Sequence, residues 1–144
     1  MPPNIFTPVT VFNQYKNHDT GSMEWRKTIL RDAHWEENKA VNVINSGLAT
    51  ADAVSVMVWF SVDADGKRYL PQKQYAALSP EAANRLWTFT QGVDRLIKGA
   101  IDDDIPPMTI NEIVAKYDSC ITIKSVDTMD YGRKHMQHWE VSGS

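Results

Sequence analysis

The most regular alternation in the chain is "AVSVMVWFSV", residues 53 to 62. Val54, Val56, Val58, Phe60 and Val62 fall on one face, and Ala53, Ser55, Met57, Trp59 and Ser61 on the other. That period is a strand's, with one side in a core, and the second face carries enough apolar surface to expect partial cover by a helix or another sheet. "DADG" at 63 to 66 has the composition of a tight turn, so "KRYLP" reads as the return strand of a hairpin.

The same reading places a strand at "VTVFNQY" (9 to 15), ended by the polar turn "KNHDTGS". In "MEWRKTILR", Trp25, Lys27, Ile29 and Arg31 share one face and Arg26, Thr28 and Leu30 the other. Neither face is cleanly apolar, which predicts an edge strand or one crossing a barrel rim. "AHWEENKAVNVINSGLATAD" (33 to 52) has few strand formers in its first half and is expected to be a long inserted loop, of the kind that is usually functional or disordered. "WTFTQGVDRLIKGAI" (87 to 101) reads as strand, turn, strand, and "CITIKSVDTM" with "HMQHWEV" as the last two strands.

Two helix starts are visible. Ser79 can cap a helix with Pro80 at its first position and Glu81 in its first turn, and Thr109 with Glu112 forms a Thr-x-x-Glu capping box. About seven closely spaced strands and two short helices predict a mainly β fold, a small antiparallel barrel or sandwich with a long inserted loop and one or two short helices. With 144 residues the chain fits one domain, with a β core over about 9 to 143.

Composition narrows the function classes. No apolar run approaches the roughly 18 residues that span a bilayer, so no membrane partner is expected. "MPPNIFTPVTVF" lacks the basic and apolar regions of a secretory leader, so retention in the producing cell is expected. The net charge of −3 opposes a generic nucleic-acid binder and leaves two local basic clusters, Arg26, Lys27 and Arg31, and Arg133 with Lys134. The single cysteine, Cys120, sits in the apolar run "SCITI" and reads as a buried, inert thiol.

Chemistry is weakly signalled. His135 and His138 are three apart, which on a strand sends them to opposite faces, so a shared metal is not expected; His18 and His34 have no ligand-spaced partner. "DDDIPP" and "DADG" lack the oxygen spacing and later glutamate of a calcium loop. No Gly-x-Ser-x-Gly elbow, Walker loop or dinucleotide fingerprint occurs, and neither a catalytic residue, a metal nor a cofactor is expected. Trp59, Trp87 and Trp139 read as core or sheet-covering residues. Trp25, Arg26, Arg31, His34 and Trp35, with Arg133, His135 and His138, are the candidate interface positions.

"RKTILRDAHWE" and "SVDTMDYGRKHMQHWEV", together with "VTVFNQY", "VSVMVWFSV", "YLPQKQY" and "KGAI", resemble a family of minor structural proteins of tailed phages and Gram-positive prophages. They are also similar to head-to-tail connector, or stopper, proteins, across about Val9 to Gly143. The resemblance implies a subunit of the virion neck, assembled from the host cytoplasm into a ring between portal or adaptor and tail proteins. Double-stranded DNA would pass through its channel without sequence-specific binding. It places the channel role on the 33 to 52 loop and the ring contacts on strand edges and the last hairpin. The two helices leave a tail-completion or terminator role open. A nucleic-acid-binding barrel using Trp25, Arg26, Lys27, Arg31 and Trp35 is the competing reading, and a metal-dependent hydrolase using His135, His138 and aspartates ranks last.

Overall fold

The computed structural model describes residues 6–38, 53–105 and 107–144. Six strands close an antiparallel barrel: β1 (Thr7–Lys16), β2 (Met23–Asn38), β3 (Ala53–Trp59), β4 (Arg95–Lys98), β5 (Cys120–Met129) and β6 (His138–Gly143). Their order around the wall is β1, β2, β3, β6, β5, β4 and back to β1. A barrel, not a sandwich, is therefore the solution to burying these strands. Val9, Val11, Leu30, Ala33, Trp35, Val54, Val56, Val58, Leu96, Ile121, Ile123 and Val141 fill its interior. Closure leaves few strand edges to be covered.

β2 explains where the sequence pattern misleads. Thr28 and Leu30 are buried, and so are Ala33 and Trp35, so the inward phase slips between Leu30 and Ala33. The pairing records the slip: Val9 faces Leu30 while Thr7 faces Ala33, two residues of β1 against three of β2. This bulge resets the alternation. Ala33–Asn38 are therefore strand, paired with β3, and not the start of the expected 33 to 52 loop; residues 39–52 of that loop lie outside the described residues. The first half of β2 pairs with β1 alone, as its mixed faces predict. On its other side, Lys67 Nζ donates to the Lys27 carbonyl at 2.7 Å and to Thr28 Oγ1 at 3.1 Å.

β3 ends at Trp59, three residues before the alternation does, because Phe60 and Ser61 turn away. Phe60 and Val62 still pack on the core. The "DADG" turn forms, with Asp65 and Gly66 both at positive φ (56° and 82°) and Lys67 N–H bonded to Ala64 O at 3.1 Å. It does not make the expected hairpin. Arg68 and Tyr69 pair in parallel with Leu86 and Trp87 in a separate two-stranded sheet.

That small sheet stands at one end of the barrel with helices α1 (Gln72–Ala76) and α2 (Pro80–Ala83). The first of these was not predicted. Ser79 caps α2, its Oγ accepting from Ala82 N–H at 3.3 Å, and Thr109 and Glu112 form the full capping box of α3 (Ile110–Lys116). Ile113 of α3 packs with Phe12, Ile97 and Ile101 on the outer side of β1 and β4. β1 is buried on both faces for this reason.

Candidate functional site

The cations of the proposed basic strip are held within the fold. Arg26 Nη1 lies 3.0 Å from Glu24 Oε1, and its guanidinium sits 4.7 Å from the centre of the Tyr15 ring. Lys27 Nζ lies 2.8 Å from Asp104 Oδ1. Arg31 donates to Asp65 through Nε at 3.0 Å and Nη2 at 2.8 Å. Trp25 is half-buried beside Arg95 on the outer wall, whereas Trp35, past the bulge, is 7% exposed inside the barrel. Its Nε1–H donates to Glu37 Oε1 at 3.1 Å. His34 is half-buried on β2 opposite Met57. The bulge thus separates the two tryptophans that the competing reading places on one strip.

The C-terminal candidates divide similarly. β6 begins at His138, and His135 lies before it in a single 3-10 turn, Lys134–Met136, so the expectation that one strand carries both histidines is corrected. Arg133 and His135 are exposed. His138 is half-buried, Nδ1 2.8 Å from Met136 O and Nε2 3.3 Å from Glu140 Oε1. Among the described residues no group of three or more His, Cys, Asp or Glu side chains is placed to hold a metal ion. Cys120 is half-buried, where the sequence led to a buried thiol, and desolvation still pushes that thiol up to about 11, away from a reactive thiolate.

Among the described residues, several surfaces could seat another molecule. At the capped end, Phe60, Tyr69, Trp87 and Trp139 line a cleft of about 650 Å³ with Lys67 and Arg68 at its rim. Their rings are mutually packed, Tyr69 and Trp139 with centroids 4.3 Å apart and Phe60 and Trp139 4.4 Å apart. Burial lowers the Lys67 pKa, consistent with an ammonium drawn inward to the β2 edge. The sequence hid this cluster because its rings come from four separated segments.

The second surface is a groove of about 590 Å³ between the start of β2 and the approach to α3, with Met23, Trp25, Ile105, Pro107, Met108 and Ile110 along it. The third is a projection. The turn between β5 and β6 carries Tyr131, 72% exposed, and Met136, 60% exposed, with exposed Arg133 and Lys134 between them. In the order of the wall, the groove starts at β2 and the turn joins β5 to β6, so different strands carry the two. Sequence reasoning selected Arg133 and His135 on this turn and missed the two apolar residues beside them, which only exposure distinguishes from core.

Comparison with curated proteins and with solved structures finds no match. A family model matches residues 5–144, nearly the whole chain. The protein therefore belongs to the family of unknown function DUF6751.

Proposed function

We propose that this protein is a non-enzymatic assembly subunit, a head-to-tail connector or stopper that forms a ring between portal and tail in a phage neck. The observation that carries the assembly reading is the pair of dissimilar surfaces on one closed barrel, a groove beside the start of β2 and an exposed apolar turn joining β5 to β6. A ring of identical subunits needs two different complementary patches per subunit, and a monomer with no partner needs neither. The resemblance in "RKTILRDAHWE" and "SVDTMDYGRKHMQHWEV" selects the neck among possible assemblies. The channel role given to residues 33 to 52 passes to 39–52, since Ala33–Asn38 are barrel wall.

The test is electron microscopy of particles from the parent phage or induced prophage with this gene inactivated. Heads that lose DNA, with separate tails, support the connector. Filled heads beside defective tails move the protein to the tail-completion position. Joined, infectious particles overturn the neck reading.

A further inference from the structure

Over residues 126–129, β5 pairs with β6 on one side and, among the described residues, with no strand on the other. Val126 N–H points away from β6, since it donates to Gln91 Oε1 at 2.9 Å. Backbone groups alternate sides along a strand, so those of Thr128 point the same way. Thr128 N–H and the carbonyls of Val126 and Thr128 have no hydrogen-bond partner among the described residues. The open side of β2 is closed by Lys67 on the Lys27 carbonyl, whereas this stretch of β5 has the Gln91 side chain alone.

Two recesses lie against that edge. The aromatic cleft at the capped end includes Thr128 and Asp130 beside Tyr69, and a second recess, of about 420 Å³, is lined by Val126 and Thr128 with Tyr69, Phe89 and Gln91. Tyr69 and Thr128 belong to both, so the recesses are neighbours along the strand. Side chains on one face of a strand repeat every second residue, at roughly 7 Å, which seats positions i and i+2 of an added strand in consecutive recesses. The open stretch is acidic. Asp127 and Asp130 are exposed and in no ion pair among the described residues, and Asp127 stands opposite Glu140, whose partner is His138. Of the nearby cations, Lys67 is turned to the β2 edge, Arg68 is exposed on the small sheet, and Lys124 lies at the bulge, where residues 91–94 still flank β5.

We propose that β5 accepts an added strand along residues 126–128. The occupant is an extended segment of a partner protein, with apolar side chains at alternate positions for the two recesses and a lysine or arginine between them for Asp127. It is polypeptide because unpaired donors and acceptors at strand spacing are matched in register by another extended backbone. It is basic beside Asp127 because like charges face each other across β5 and β6, and a cation on the next strand relieves them. Gln91 Oε1 holds the place of the incoming carbonyl and is displaced by it. The contact does not depend on the neck reading.

The test is selection of a displayed library of random nonapeptides on the full-length protein. Enriched peptides are expected to alternate apolar residues with others, a basic residue standing between two apolar ones. Thr128→Pro removes the outward N–H, leaves the β6 ladder intact and should weaken these peptides roughly tenfold. Asp127→Lys should weaken them several-fold, and Gln91→Ala, which frees Val126 N–H, should tighten them. On the unaltered protein, a saturating selected peptide should slow deuterium exchange at the Thr128 amide, a readout that needs no variant. Failure to enrich such a pattern, equal binding to folded Thr128→Pro, or binding that leaves the Thr128 amide unprotected overturns the proposal. Self-association of the protein alone that Thr128→Pro abolishes would give the edge to a second copy and overturn the partner.

Discussion

Asn13 and Asp94, 81 residues apart in sequence, are joined by a buried hydrogen bond in which Asn13 Nδ2 donates to Asp94 Oδ2 at 2.6 Å. Both are fully buried. The carboxylate also accepts from Gln14 N–H and Thr90 N–H at 2.9 Å each, and Asn13 bonds Thr88 through its carbonyl and its amide. One aspartate thereby fastens β1 to the segment that runs from the capping sheet into β4.

Burial pushes the Asp94 carboxyl up to about 6, against the three donors that favour its ionised form. A folded value above the unfolded one means that the folded chain binds the proton more tightly. Its contribution is then complete below about pH 4 and is lost as pH rises through about 6. Asp94→Asn turns an amide N–H toward at least one donor and should cost roughly 1 to 3 kcal/mol. Urea titrations across the pH range are expected to show wild type exceeding Asp94→Asn by more at pH 4.5 than at pH 7.5. A difference independent of pH would mean that the carboxyl is not shifted.

Gly143 closes β6 against both neighbours, facing Val54 on β3 and Ile123 on β5. A Cβ placed there would stand 2.1 Å from the Thr122 carbonyl oxygen, which is backbone and has no rotamer to yield. Gly143→Ala should therefore destabilise by about 1 to 3 kcal/mol, with the loss of amide protection concentrated at the β5–β6 pair. Unchanged thermal unfolding would contradict the close approach.

Trp139 and Arg31 make a contrast of burial against charge. Trp139 packs against Phe60, Tyr69, Trp87 and Phe89, and Trp139→Ala should cost about 3 to 5 kcal/mol. Arg31→Ala breaks a bidentate pair with Asp65 in which both side chains are nearly half exposed, and should cost at most about 1 kcal/mol. Denaturant midpoints measured side by side check both.

The barrel was legible where side chains keep a strict period. Val54, Val56 and Val58 alternate without interruption, and the structure places all three inside. Thr109 and Glu112 announced α3 because a capping box is a local hydrogen-bond pattern with a fixed spacing. What failed was non-local. The step from Leu30 to Ala33 reads as the end of a strand, since a bulge breaks the period without marking itself in composition. Arg68 and Tyr69 were read as half of a hairpin because nothing near them names Leu86 and Trp87 as the partner. The surfaces were least legible, because Tyr131 and Met136 differ from core residues only by facing solvent, and that is decided by the assembled wall.

β4 meets β5 at three ladder positions, Arg95 to Thr122, Leu96 to Ile121 and Ile97 to Cys120. Beyond them β5 runs to Met129 along β6, and on its other side it is tied only sparsely, Ile123 to Gly92 and Asp94 and Val126 N–H to Gln91 Oε1. The wall therefore has a seam. Strain applied to the β5–β6 turn is delivered along a stave held more sparsely on one side than on the other, and the sparse side gives way first. Amide deuterium uptake should begin there. A subunit built this way can let one stave flex while the remaining wall keeps its shape, as a gasket does under uneven load.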